Sequence, residues 1–599
     1  MISLTFSRAI LLFFVIQTLL FLLLLRISDT LSRRVNMDRS ESLKISTRTS
    51  SIIVGFLYVI LIAGNILTVL GGFRYSLAYN IIIVVTPVIL MLLLTMGSQH
   101  KLLFATTLLW HIMLLGLEMP PDLLSITEGV HMTRTMIVYG KWLPELAHNP
   151  SYNPFPTMAF IRVALSYVTS VPWYTWSLAY SLLVTTTIAF DLTIFTLVMK
   201  VTLNYRSAIL GVIIGALTPY LVVTGHAYQV PANIMWLLSI AMFIKMLRER
   251  RKEDIIPIIL LFLTSILTHS STYVAMAYPP LLILVEYLSR GAQRIHRSNP
   301  YLKVVILTLL TIGIIRVAYE ELYLRYVYKL AYGGITSLTN RILALFIEEE
   351  GLEGLKLSLY DYAGVPFYQA FLWTLTASSA SALILHYLLK KHKDTILLSL
   401  FLAGALFITL GYAMATFTIA STQLYRSAYV AFSFFIPLAS IAVDKIISSR
   451  KTCLVITMVT ILMISSFLTL RDPEISPSYR LKARGIPVEV LNMQPTQSDV
   501  VKANLITALV DKIDVIKNLA FYSKSCIHFE RITTYGLRIS SLYSKFSDAI
   551  HKVLYIHGYT IGDAPIVNIN VIMPNEFNDA VLHWDVILSL GEDIVFMMV

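Results

Sequence analysis

Charge is what this chain has least of. Only 14% of its 599 residues are Asp, Glu, Lys or Arg, against about 25% in an ordinary soluble domain, and its mean hydropathy is +0.72. The shortage is uneven. Long apolar runs fill most of residues 8–470, whereas the residues beyond them return to soluble composition. One soluble globular fold is excluded, and a large membrane domain followed by a small globular domain is expected. Cysteine is nearly missing: Cys453 stands inside an apolar run and Cys526 in the terminal region, so no disulfide framework is expected. No Gly-rich loop ends in Gly-Lys-Ser/Thr, which leaves out a phosphate-cradling nucleotide site of that type. Cys and His show no metal-ligand spacing. The one Asn-x-Ser/Thr triplet, Asn149-Pro150-Ser151, is blocked by its proline, so no N-glycan is expected. Energy for any chemistry must then come from the substrate or from a gradient.

What charge there is has a pattern. The net charge of +12 sits in short clusters between apolar runs, without a continuous basic face or a nucleic-acid motif, so nucleic acid is not an expected partner. A spanning helix needs about 20 mostly apolar residues, and by that measure roughly fourteen spans are present. They cover about 8–25, 51–73, 80–97, 102–118, 173–199, 207–224, 230–247, 255–269, 272–289, 304–319, 364–389, 395–414, 427–444 and 452–470. The first run, Ala9 to Leu25, lacks a small-residue cleavage site and meets Arg26 directly, so it reads as a retained span. The pair around Ile255 and Ser271 is short, and a re-entrant pair there leaves every other orientation unchanged.

Alternate loops carry the positive charge. Arg33, Arg34, Arg39, Lys44 and Arg48 fill one; Arg248, Arg250, Arg251 and Lys252 another; Arg290, Arg294 and Arg297 the next. Lys390, Lys391 and Lys393, then Arg450 and Lys451, continue the series, while the opposite short loops are almost uncharged. The positive-inside rule makes the basic set cytoplasmic. Expected outside are the N-terminus, the segments 119–172 and 320–363, and everything after Leu470. The terminal region reads as α/β, with a helix over Thr496 to Ile513 and strands at Val553 to Ile556, Ile566 to Met573 and Ile594 to Val599.

The segment 119–172 is the most informative. Thr127 is placed to cap a helix from Glu128 to about Val138, closed by Gly140, and Thr157 begins a second amphipathic helix ending before Pro172. Both are too short to span and suit the membrane interface. An acid three residues before a His, a helix closed by Gly, and then an aromatic, proline-rich stretch precede that second helix: Glu128, His131, Gly140, Tyr152, Pro154, Phe155 and Pro156. This arrangement resembles the first outer loop of GT-C glycosyltransferases, polytopic enzymes that take a sugar from a polyprenyl-phosphate carrier at the outer membrane face. Thr268-His269-Ser270-Ser271-Thr272 resembles a Thr/His-rich turn of the same family. The resemblance covers residues 102–470 by layout and about a dozen residues by motif. It implies a division into extra N-terminal helices (1–101), a GT-C-like membrane domain (102–470) and an extracytoplasmic α/β domain (471–599). The family acid is usually Asp, and Asp122 stands near Glu128. Nothing resembles the Trp-Trp-Asp-Tyr-Gly signature of oligosaccharyltransferases, since His583-Trp584-Asp585 is incomplete, which favours transfer of a single sugar.

The implied reaction needs a base for the acceptor hydroxyl and donors for the departing lipid phosphate; one carboxylate suffices for an inverting single displacement. Glu128 is the candidate base, or else a first-turn acid capping its helix. His131, one turn on, orients the acceptor or carboxylate, or packs at the interface. Tyr152 stacks on a sugar or anchors at the headgroups. Arg426 and Arg316 grip a phosphate or snorkel. Glu348-Glu349-Glu350 and Asp361 are able to hold a divalent cation beside a phosphate, or form a solvated charge run. Asp191 lies inside an apolar run among Thr185, Thr186, Thr187 and Thr193, where a carboxylate is costly. It suits an interhelical tie, and alternatively the ion site of a transporter or lipid flippase. A third class is a non-catalytic membrane assembly protein on the same scaffold. Expected partners are the lipid-linked sugar, a glycan, lipid or protein acceptor, and membrane lipids.

Overall fold

A computed structural model describes residues 2–35, 47–70, 77–96, 101–116, 136–137, 140, 157–170, 176–217, 229–249, 252–268, 278–290, 305–312, 367–390, 394–417, 422–448 and 452–471 of the helical region. In the terminal region it describes 519–522, 539–543, 553–556, 559–561, 564–567, 585–590 and 593–597. The chain divides into two compact units, one of Met1–Glu118 and Val184–Ser476, the other of Met119–Leu183 and Pro477–Val599.

Helix occupies part of every apolar run named above. In chain order the helices are α1 (Ile2–Val35), α2 (Thr47–Leu70), α3 (Leu77–Thr95), α4 (Lys101–Gly116), α5 (Thr157–Thr169), α6 (Trp176–Thr202) and α7 (Tyr205–Leu217). They continue as α8 (Gln229–Glu249), α9 (Ile255–Thr268), α10 (Tyr278–Arg290), α11 (Phe367–Leu389), α12 (Thr395–Phe417), α13 (Thr422–Ser448) and α14 (Thr452–Arg471). Among the described residues, four stretches are long and apolar enough to cross a membrane: Val184–Thr202, Val230–Glu249, Phe371–Leu389 and Val430–Ser448.

The polarity of the first unit is the reverse of a soluble protein's. Its surface carries Phe56, Val59, Ile256 and Leu307, each more than half exposed, while Thr106, Thr107, His111, Asp191, Asn233, Ser378 and Ser433 are buried. A soluble protein rarely exposes apolar surface on this scale. Lipid tails accept it, and small polar side chains between helices then supply the contacts that hydrophobic burial supplies in water. Ser265 Oγ donates to the Ala232 carbonyl at 2.9 Å, and Ser239 Oγ to that of Ile258 at 3.3 Å, tying α9 to α8. Of the short pair, α9 packs on α8 and α10 on α12.

At the centre lies α13, packed by α12, α11, α7, α1 and α14; 83% of its Val430–Ser448 stretch is buried. Phe434 carries the packing: Trp236, Tyr278 and Phe407 stack on it with ring centroids 5.2, 5.6 and 5.7 Å away. A Cβ built at Gly404 of α12 falls 2.5 Å from the Phe435 ring, so glycine is what lets these helices approach. A proline inside α3, Pro87, withholds the N–H that would bond the Ile83 carbonyl one turn back. Trp110 Nε1 of α4 donates to that carbonyl at 2.9 Å. One indole both satisfies the freed oxygen and joins two helices.

In the second unit, α5 starts at Thr157 and ends at Thr169, the range read from sequence for an amphipathic helix too short to span. Gly140 has φ +66°, the left-handed conformation suited to closing a helix, and residues 136–137 before it are helical. The terminal region holds a five-stranded sheet of β1 (Leu519–Tyr522), β2 (Ile539–Tyr543), β3 (Val553–Ile556), β6 (Asp585–Leu590) and β7 (Asp593–Met597). Its order is β2-β1-β3-β7-β6, with β1 parallel to β2 and β3, and β7 antiparallel to β3 and β6. A separate hairpin pairs β4 (Tyr559–Ile561) with β5 (Ala564–Val567). Of the three strands read from sequence, the one at Val553 to Ile556 coincides with β3, while those at Ile566 to Met573 and Ile594 to Val599 overlap β5 and β7; their remainders lie outside the described residues, as does the helix read over 496–513.

Candidate functional site

Most of the residues singled out for chemistry lie outside the described residues: Asp122, Glu128, His131, Tyr152, His269 and Arg316, with Glu348, Glu349, Glu350 and Asp361. Their flanks are placed. His269 directly follows the last residue of α9, and Arg316 follows the helical stretch 305–312. Arg426 belongs to α13, which begins at Thr422, a turn earlier than the apolar run alone suggested. Just after Tyr152, Pro154, Phe155 and Pro156 comes α5, and it brings a residue the sequence reading passed over: Arg162 is only 5% exposed. A guanidinium is seldom buried without a charged or hydrogen-bonding role. Its spacing on an otherwise apolar 13-residue helix was the available signal.

The polar site that the structure does assemble is built on α4 and α6. Each helix is apolar on all sides, with a single titratable side chain near its middle. His111 Nδ1 meets Asp191 Oδ1 at 2.8 Å and Oδ2 at 2.9 Å, and both residues are 1% exposed. His111 stands ten residues from Lys101 and Asp191 nine from Lys200, roughly 14–15 Å along each helix at a rise of about 1.5 Å per residue. Phe104 and Phe195 pack with centroids 4.5 Å apart. The pairs 111–191 and 104–195 run in opposite chain directions, so the two helices are antiparallel here. Asp191 therefore lies deep along its helix, with both carboxylate oxygens directed at one imidazole. Reading the apolar runs one at a time missed His111, although a histidine inside such a run is itself a signal.

No protein-family model and no curated protein matches this chain.

Other buried charges are tied at the helix ends that carry the basic loops. Asp444 of α13 accepts from Asn204 Nδ2 at 2.8 Å and Ser207 Oγ at 2.8 Å, and pairs with Arg206 Nε. Leu203, with φ +57°, makes the reversal between α6 and α7 that aims these groups. Lys245 pairs with Asp254 at 2.9 Å, and Arg248 donates to the carbonyls of Lys200 and, at 2.7 Å, Val201, capping the end of α6. These side chains fix helix ends to one another. Among the described residues, no group of three or more His, Cys, Asp or Glu forms a metal-binding cluster.

Proposed function

We propose that this chain is a membrane glycosyltransferase that moves one sugar from a polyprenyl-phosphate carrier to an acceptor hydroxyl, at the membrane face opposite its basic loops. The observation that carries the proposal is the segment 119–172, where Glu128, His131, Gly140, Tyr152, Pro154, Phe155 and Pro156 stand in the order and spacing of a GT-C outer loop. Two local features of the fold support it: the left-handed Gly140, and a helix starting at Thr157 that is too short to span. The alternating loop charge supports roughly fourteen spans, an outward N-terminus, and an outward α/β domain from residue 471.

In this reading Glu128, or Asp122 in its place, takes the proton of the acceptor hydroxyl. The oxygen attacks the anomeric carbon from the side opposite the phosphate, and the bond to the phosphate breaks with inversion. Arg426, with Arg316, stabilises the departing polyprenyl phosphate. His131 and His269 position the acceptor, and Tyr152 stacks on the sugar. A divalent cation held by acids of 348–361 is compatible with the same chemistry.

Transport is the competing reading, and Asp191 is its anchor. The bidentate approach to His111 favours an interhelical tie, because the carboxylate is already satisfied by a neighbouring helix. Neither residue lines the cavity walled mainly by α7, α11 and α14. The test is sided. In proteoliposomes carrying donor in one leaflet only, release of polyprenyl phosphate is expected when the donor shares the leaflet of segment 119–172. Release from the opposite leaflet alone would overturn the proposal.

A further inference from the structure

On α5 of the second unit, the apolar side chains point out and the charge points in. Phe160, Tyr167 and Val168 are 52, 68 and 83% exposed, and Ala164 is exposed with them. At about 3.6 residues per turn these four positions fall on one face of the helix. The opposite side carries Ala159, which is completely buried, and Arg162, the single charged residue among the helix's 13. Arg162 stands about half a turn round from the centre of the exposed face. A helix on a water-facing surface has the reverse arrangement, with charge outward and its apolar stripe toward the core.

The chain that follows sets the depth at which this face lies. The first residues of α6 belong to the same unit as α5. Counted from Lys200 in the last turn of α6, a hydrocarbon core of about 30 Å reaches back roughly 20 residues, to the neighbourhood of Tyr180. Since α6 begins at Trp176, its first turn stands at headgroup level. The sequence around that start supplies Trp173, Tyr174 and Trp176, the aromatic residues enriched at this depth. Ser170 takes a left-handed φ of +56° that closes α5 and turns the chain. From Thr169 to Trp176, even a fully drawn-out connection spans only about 25 Å. One end of α5 is thereby tied close to the headgroup layer. There water penalises an exposed apolar face, and lipid accepts it.

We infer that α5 lies along the membrane with Phe160, Ala164, Tyr167 and Val168 seated among the lipids of the leaflet opposite the basic loops, and with Arg162 turned into the protein. Apolar contact alone holds this seat. With its one cation facing inward, α5 offers nothing to an anionic headgroup, so the seat does not depend on headgroup charge. The inference stands on the two faces of α5 and is independent of the sugar-transfer chemistry.

The test places a nitroxide on single cysteines of the full chain, in a background carrying Cys453→Ser and Cys526→Ser, reconstituted into phosphatidylcholine vesicles. Phe160→Cys, Ala164→Cys and Val168→Cys report the lipid face, and Ser166→Cys the side of Arg162. At 160, 164 and 168, collisions with oxygen, which concentrates in lipid, are expected to exceed those with a water-soluble nickel chelate several-fold. Position 166 should be shielded from both. The same pattern is expected when phosphatidylglycerol replaces part of the phosphatidylcholine. Chelate collisions in excess at the three positions would put the face in water, and exclusion of both reagents would put protein on it, a second copy included; either result overturns the inference. A lipid pattern that appears only with phosphatidylglycerol would overturn it as well. If the cysteine variants do not fold, a membrane-dissolved diazirine on the unaltered protein decides, its adducts located by mass spectrometry. Leu192, 45% exposed on the spanning stretch of α6, is the internal standard. Adducts on Phe160, Tyr167 or Val168 beside those on Leu192 support the seat, and labelling of Leu192 without them refutes it.

Discussion

His111 and Asp191 show how one contact changes the meaning of a residue. A lone carboxylate in an apolar helix invites a transport role; the same carboxylate gripped by an imidazole on the next helix is a tie. The two roles predict different variants. Removing one partner of a buried pair strands the other and costs about 3–5 kcal/mol, whereas a neutral hydrogen bond between membrane helices is worth only about 0.6–1.7 kcal/mol. His111→Leu should therefore destabilise the protein far more than Asp191→Asn, which keeps an oxygen toward the ring. The double change to Leu at both positions should recover much of the loss and keep activity in proportion to folded protein. Thermal unfolding in detergent, with activity normalised to folded protein, measures both. A double variant that folds but is inactive would return Asp191 to a functional role. Asp191 was legible in the sequence because charge stands out in an apolar run. Its partner was not, because helix–helix register is set by packing among similar apolar faces that no single run encodes.

At the level of elements, the α3–α4 contact turns on a missing hydrogen. Pro87 leaves the Ile83 carbonyl without its helical donor, and Trp110 provides one at 2.9 Å. Trp110→Phe should cost about 1–2 kcal/mol from the stranded carbonyl. Restoring the backbone N–H with Pro87→Ala should make the same Trp110→Phe change nearly neutral in hydrogen-bond terms. A double-mutant cycle on unfolding reads the coupling directly, and additive losses would show that the indole acts by packing alone. Elements were the most legible scale. Apolar runs, Thr157, Gly140 and the β-rich stretches at 553–556 and 594–599 each announced a local structure that depends on neighbours in sequence. Contacts such as Gly404 against Phe435, or Trp110 against Ile83, depend on which helices meet, and hydropathy alone does not say.

For the whole molecule, the inverted polarity of the first unit and its helices, long and apolar enough to cross a membrane, fit one physical setting. Ion pairs gather at the helix ends bearing the basic loops, where Asp444 meets Arg206, Asp254 meets Lys245 and Asp29 meets Lys390. Segment 119–172, whose residues resemble a sugar-transfer loop, carries the proposed chemistry. The most direct measurement of that account is release of polyprenyl phosphate from a polyprenyl-phosphate sugar by the purified chain and by its Glu128→Gln variant, both checked for equal folding. Loss of an oriented general base is expected to lower turnover about 10²–10⁴-fold while donor binding persists. Undiminished turnover by Glu128→Gln would contradict the role given to Glu128, and undiminished turnover by Asp122→Asn as well would contradict the outer-loop resemblance on which the function rests.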